Sequence, residues 1–269
     1  TDYGIFEMGM NHPDEIRPLS AQVQPDISII TTIAAAHLGN FKDVEEIARA
    51  KAEIFEGMKP GGAAILNRDN EWFDLLKNTA EEHGQNVFSF GEHEDSDCRM
   101  TQCLAASNGS RITADVLGES ITFMLPVPGR HIAQNVLSIL LAVKLSGGEL
   151  KHVIPAIQRV QAMPGRGHQE MIDIGVKDNP ITLIDESYNA SPIAMRAAFK
   201  VMALIDPGRG GRRIAVLGDM RELGDDAAKL HAELALPLEA AGIQLVYTCG
   251  PLMKNLYNAL PSDKRGAHE

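Results

Sequence analysis

Asp26-Ile27-Ser28-Ile29-Ile30-Thr31-Thr32-Ile33, then Val44-Glu45-Glu46-Ile47-Ala48-Arg49-Ala50-Lys51-Ala52-Glu53-Ile54-Phe55-Glu56-Gly57-Met58, then Ala63-Ala64-Ile65-Leu66-Asn67 is the stretch on which the fold turns. The outer pieces are short apolar runs with the texture of buried strands. The middle piece is amphipathic. Val44, Ile47, Ile54, Phe55 and Met58 fall on one helical face, and Asp43, Glu45, Glu46, Arg49, Glu53 and Glu56 lie mostly on the remainder. Strand, helix and strand in that order predict an α/β protein with a mostly parallel sheet covered by helices.

The same alternation extends in both directions. Tyr3 to Met8 and Asn86 to Phe90 are further predicted strands, and Pro13 to Gln22 and Glu71 to His83 further helices. From Arg99 to Pro126 the texture changes to short alternating segments. Ser110 to Val116 and Ser120 to Leu125 flank Leu117-Gly118-Glu119, which predicts a β-hairpin insertion. Helices over His131 to Leu145 and Leu150 to Val160 follow. Ala162-Met163-Pro164-Gly165-Arg166-Gly167 is rich in helix breakers, so the domain boundary is placed there, with residues 1–163 before it and 164–269 after. The second, smaller region alternates again: strands Thr182 to Asp185, Arg213 to Leu217 and Gln244 to Thr248, with helices Pro192 to Leu204, Asp226 to Ala241 and Leu252 to Ala259.

Composition narrows the function classes. With 44% apolar and 23% charged residues, 24 Gly and 14 Pro, the chain is neither disordered nor fibrous. A net charge of −11 argues against a nucleic-acid partner, which is bound through a basic face, but allows an anionic small substrate in a local pocket. The apolar stretch from Ile27 to Leu38 is about half the ~20 residues of a membrane span. It is also interrupted by Ser28, Thr31, Thr32 and His37, so no span is expected. Thr1-Asp2-Tyr3 opens the chain without an export signal, and Cys98, Cys103 and Cys249 stand in no metal-ligand spacing, as expected of the cytoplasm.

Several residues could carry chemistry. Lys51 lies on the apolar helix face, four residues after Ile47 and three before Ile54. Burial there would lower its pKa and free its amine, unless the stem snorkels to solvent. Glu7 interrupts one apolar run and His37 ends another, at the strand ends where ligands of α/β sheets gather. Together they suit a divalent cation that also engages phosphate, although a strand-end acid and a core histidine are equally compatible. Pro128-Gly129-Arg130-His131 leads into a helix bearing Gln134 and Asn135, and an asparagine there could read a purine edge or simply be polar surface. Asp185 and Glu186 stand at a strand end before Ser191-Pro192, placed to hold ribose hydroxyls or to cap a helix.

In this order the segments resemble the ATP-dependent Mur ligases of peptidoglycan synthesis. The resemblance is carried by Phe6-Glu7-Met8-Gly9-Met10-Asn11-His12-Pro13-Asp14-Glu15-Ile16, Ala34-Ala35-Ala36-His37-Leu38, Ala50-Lys51-Ala52-Glu53-Ile54-Phe55, Pro128 to His131, Pro164-Gly165-Arg166 and Asp185 to Pro192. It is completed by Val216-Leu217-Gly218-Asp219-Met220-Arg221-Glu222-Leu223-Gly224, followed by His231. That last run favours the branch joining D-alanyl-D-alanine to UDP-N-acetylmuramoyl-tripeptide. The resemblance implies an ATPase-type central domain followed by a Rossmann-like domain, with ATP and Mg2+ as cofactors. It assigns Lys51, as a carbamate, and Glu7 and His37 to the metal and to catalysis. Asn135 is matched to adenine, Arg166, Asp185 and Glu186 to other nucleotide contacts, and Asn11 and His12 to the nucleotide-sugar substrate.

There are departures from the family pattern. Ile132 stands where the family often has Asn, and Glu186 where several relatives have Asp. No Gly-x-x-x-x-Gly-Lys-Ser/Thr phosphate loop occurs in the chain. The sequence is therefore expected to be an internal piece of such a ligase, incomplete at both ends and inactive alone. A sister amide ligase, including the folylpolyglutamate synthetase type, and a non-catalytic nucleotide-binding or interaction fragment are the alternatives.

Overall fold

The computed structural model describes residues 2–35, 38–175, 180–208 and 210–269. The chain forms two compact units. One holds Thr1–Leu104, Arg111–Met124 and His131–Gln158; the other holds Ala105–Ser110, Leu125–Arg130 and Arg159–Glu269.

The elements run α1 (Ile16–Val23), β1 (Ile27–Ile30), α2 (Val44–Ala52), β2 (Ala63–Asn67), α3 (Phe73–Glu82), β3 (Asn86–Gly91), β4 (Cys98–Ala106), β5 (Gly109–Val116), β6 (Glu119–Leu125), α4 (Arg130–Leu145) and α5 (Leu150–Ile157). The strands form one sheet in the order β1-β2-β3-β4-β5-β6. The pairs β1–β2, β2–β3 and β3–β4 are parallel, with Ile29 beside Ile65 and Ile65 beside Phe88. Helical crossovers cover parallel strands on both faces, and β2 accordingly buries Ala64, Ile65, Leu66 and Asn67. Leu117 and Gly118, both at positive φ (51° and 84°), make the tight turn of the predicted hairpin.

Two expectations need correction here. Helix α2 starts where Asp43 accepts from Glu46 N at 2.9 Å, but it ends at Ala52 and tightens into a 3-10 turn over Glu53–Gly57. The cause is a close crossing with α1. A Cβ at Gly57 would lie 2.3 Å from Ala21 N, and Ser20 Oγ donates to Ile54 O. Buried Glu53 then accepts from Asp14 N (2.7 Å) and Arg17 N (3.1 Å), satisfying amides at the start of α1. The second correction is Tyr3–Met8, which forms no strand; Ile5 is 97% exposed and Phe6 64%. A strand exists only through a neighbour that takes its backbone hydrogen bonds, and this arm pairs with none of the described residues.

In the second unit β7 (His168–Ile172), β8 (Ile181–Asp185), α6 (Pro192–Ala203), β9 (Ile214–Gly218), α7 (Ala227–Ala232), α8 (Ala235–Ala240), β10 (Leu245–Cys249), α9 (Met253–Ala259) and β11 (Arg265–His268) follow one another. Strands β11-β10-β9 make a parallel sheet, while β8 pairs antiparallel with β7, His168 opposite Asp185. The helix expected over Asp226 to Ala241 is broken into α7 and α8. Pro237 has no N–H to give the Glu233 carbonyl, and its ring clashes with that oxygen in a continuous helix. His231 is fully buried, accepting from Met220 N at Nε2 (2.9 Å) and donating from Nδ1 to Ala227 O (2.6 Å). It therefore pins the Gly218 to Gly224 loop.

Candidate functional site

In the first unit, Lys51 sits on α2 between Ala50 and Ala52, which are 3% and 2% exposed. Burial holds its pKa below the ordinary lysine value, because the ammonium loses hydration without gaining a compensating charge. Glu7 is exposed in the open arm, and His37 lies outside the described residues. Among the described residues no group of three His, Cys, Asp or Glu is arranged to hold a metal; His37, and Lys51 as a carbamate, are not in that count. Asn11 and His12 are exposed and held by one carboxylate. Glu15 accepts from Asn11 N (2.7 Å) and His12 N (3.1 Å) and meets His12 Nδ1 at 3.2 Å. The two amides keep the Glu15 carboxyl below its usual pKa, with the His12 ring adding to the effect.

Asn135 is exposed on the first turns of α4. Its neighbour Gln134 donates from Nε2 to Asp69 Oδ2 at 2.9 Å. A separate cleft of about 310 Å³ is lined by Pro13, Arg17, Arg49, Glu53 and Thr79 among others. Its cations are already paired, Arg17 with Glu56 and Asp14 and Arg49 with Glu45, so it is not built for a phosphate.

The second unit brings Arg166, Asp185 and Glu186 together. Asp185 ends β8 and accepts from Ser187 N through Oδ1 and from Gly165 N through Oδ2, each at 3.0 Å. Its carbonyl accepts from Gly167 N at 2.9 Å, and Tyr188 N donates to Gly165 O at 3.1 Å. Gly165 is required at this crossing, since its φ is +76° and a Cβ would lie 2.9 Å from Tyr188 Cβ. The Arg166 guanidinium stacks 4.2 Å from the centroid of the Tyr188 ring. The adjacent acids are pushed in opposite directions. The Ser187 hydroxyl and amide and the Gly165 amide hold Asp185 below the usual carboxylate range. Glu186 is raised by burial and by Asp185, with Arg166 and the Gly167 amide opposing. Neither acid caps α6; that role falls to Ser191, which accepts from Ala194 N. Tyr188 was within reach of sequence reasoning as the aromatic beside two acids, but its stacking partner lies in another segment.

Two family models match this chain: the Mur ligase middle domain over residues 1–143, and the Mur ligase, glutamate ligase domain over residues 172–269. The chain belongs to the Mur ligase family. UDP-N-acetylmuramoyl-tripeptide--D-alanyl-D-alanine ligase of Escherichia coli K12 is 33% identical to this Mur ligase chain over 250 residues, 93% of the chain and 53% of that relative. The chain thus spans about half the length of the curated relatives it matches. MurF from Acinetobacter baumannii superposes with a TM-score of 0.86 at 27% identity, over 97% of this chain and 54% of that one. The MurF ligase of Thermotoga maritima, solved in complex with ADP, shares the fold at a TM-score of 0.82 and 22% identity, over 98% and 57% of the two chains. The fold class follows: an ATPase-type Mur ligase middle region and a Rossmann-like C-terminal region. No helix among the described residues is long and apolar enough to cross a membrane.

Proposed function

We propose that these residues serve a cytoplasmic, ATP-dependent ligase that joins D-alanyl-D-alanine to UDP-N-acetylmuramoyl-tripeptide. The observation that carries this reading is the 33% identity, over 93% of the chain, to the Escherichia coli ligase named for those substrates. A carboxylate is a poor electrophile, so the tripeptide carboxylate first takes the γ-phosphoryl group of ATP. The amine of D-alanyl-D-alanine then attacks the acyl phosphate, and phosphate leaves. Catalysis of this kind rests on positioning and on stabilising gathered negative charge.

In this proposal Asn135 reads adenine with its amide donor and acceptor. Arg166, stiffened by the Tyr188 ring, faces the nucleotide's negative charge. Asp185, held by main-chain N–H groups on both oxygens, and Glu186 beside it supply the acids for the ribose. Asn11 and His12, oriented by Glu15, contact the nucleotide-sugar substrate. Glu7 and a Lys51 carbamate would offer the hard oxygens that magnesium prefers, and His37 would add an imidazole nitrogen. Lys51 suits carbamate formation because burial favours its neutral amine, the form that adds carbon dioxide and releases a proton. Magnesium bound there would neutralise charge where phosphate and carboxylate meet.

The test is a chimera in which residues 1–269 replace the matching half of the Escherichia coli ligase. Phosphate release should depend on D-alanyl-D-alanine. Release driven by a single amino acid or by glutamate instead would reassign the chain to a sister amide ligase.

A further inference from the structure

The turn after β2, Asn67-Arg68-Asp69-Asn70, reaches several distant parts of the first unit. Asn67 Nδ2 donates to Thr31 O at 2.9 Å, and Asn70 Nδ2 donates to Ile33 O at 2.9 Å. Each side chain also closes its own turn, Asn67 Oδ1 accepting from Asp69 N and Asn70 Oδ1 from Trp72 N. The chain leaving β1 is therefore held by two side-chain amides. Asp69 reaches the other way. Its Oδ1 accepts from His93 N (2.9 Å), and its Oδ2 from Glu92 N (2.8 Å) and from Gln134 Nε2 (2.9 Å). This approach requires Gly91, which ends β3 at φ +151° and where a Cβ would lie 2.7 Å from the Asp69 carboxylate.

A carboxylate held by two main-chain amides has a defined direction, and charge-assisted bonds are the stronger kind. Its third bond therefore adds a fixed point at Gln134 to the seating that the buried Ala133, Val136 and Leu137 give α4. Neighbouring helical residues differ in direction by a set angle, so fixing Gln134 also fixes where Asn135 points.

We propose that Asp69 is a positioning residue for the base site, acting through Gln134 on the direction of Asn135. The inference rests on the adenine-reading role given to Asn135 above. Base selection then depends on a turn that touches no nucleotide, with Gly91 as the residue that admits the carboxylate.

NMR titration of the 15N-labelled 269-residue chain with ADP and with GDP tests this. The unsubstituted chain should prefer ADP, and Asn135→Ala should abolish the preference. Gln134→Met, which keeps the stem and removes the amide, should lower the ADP over GDP preference about tenfold, or 1.4 kcal/mol, without lowering the melting temperature. Asp69→Asn should lower the preference to a similar extent and also speed amide exchange at Glu92 and His93. Retained preference in Gln134→Met, or equal weakening of ADP and GDP in both variants, overturns the positioning role. If the unsubstituted chain shows no preference, or Asn135→Ala keeps it, the adenine reading itself has failed and the positioning claim falls with it.

Discussion

Lys51 is the residue at which stability and chemistry oppose each other. Its folded-state pKa lies below the unfolded value, so the unfolded chain binds the extra proton in the window between them. The resulting destabilisation is full below the folded pKa and vanishes as pH rises to the unfolded value near about 10.4. Lys51→Met should therefore raise the urea midpoint at pH 7, with a gain that shrinks towards pH ~10.5. A pH-independent gain would mean a solvated ammonium. In the chimera, Lys51→Ala should cost orders of magnitude in turnover while circular dichroism is unchanged, whereas a snorkelling lysine would cost within about 0.5 kcal/mol of stability and leave turnover near normal. Cysteine chemistry gives a second residue-scale expectation. Burial, with Asp115 and Asp97 nearby, pushes the Cys98 thiol up to about 12, while Cys249 is exposed. At pH 8 roughly one part in ten thousand of Cys98 is thiolate. Iodoacetamide should label Cys249 first and reach Cys98 only on unfolding; early labelling of Cys98, read by peptide mass, would contradict its burial.

Among the elements, the six-stranded and three-stranded sheets share one device. Asp69 follows β2 and takes the two amides after Gly91 at the end of β3; Asp219 follows β9 and takes Leu252 N and Met253 N, just after Gly250 beyond β10. Both glycines have positive φ, +151° and +105°, and a Cβ on either would strike the carboxylate within 2.7 Å. In each unit an acid at one strand end thus ties down the loop leaving its neighbour, where α/β sheets expose their binding edge. The α1 crossing is equally intolerant. Gly57→Ala would drive a Cβ into Ser20 and Ala21 main-chain atoms at 2.3 Å, which nothing short of moving α1 relieves. A loss of about 1–3 kcal/mol is expected by chemical denaturation, the scale of overpacking in a filled core. A loss below about 0.5 kcal/mol would show that the crossing yields easily.

For the whole molecule, the last passage of the chain from the first unit to the second, at residues 158–159, is the place to probe. Arg159 is exposed and opens the irregular stretch after α5, whereas Arg166 is stacked on Tyr188 in a turn whose neighbours are tied to Asp185. Trypsin should cut after Arg159 before Arg166; the reverse order would show that the Pro164 to Gly167 segment is the weaker joint. The isolated 269-residue chain should show no ATP-dependent ligation in a phosphate-release assay, since its sequence holds no Gly-x-x-x-x-Gly-Lys-Ser/Thr motif to position the γ-phosphate. Ligation by the chain alone would overturn that expectation. The sequence by itself determined the alternation of strands and helices, because burial on one face repeats with the period of each element and needs no knowledge of partners. It also determined the family, through motifs spread along the chain. Only the tertiary structure decided that Tyr3–Met8 stays open, that α2 tightens at Glu53, that Arg166 stacks on Tyr188, and that Asp69 holds Gln134 across 65 residues of chain. Those outcomes depend on which backbone groups and side chains meet in space, and a local pattern carries no record of such meetings.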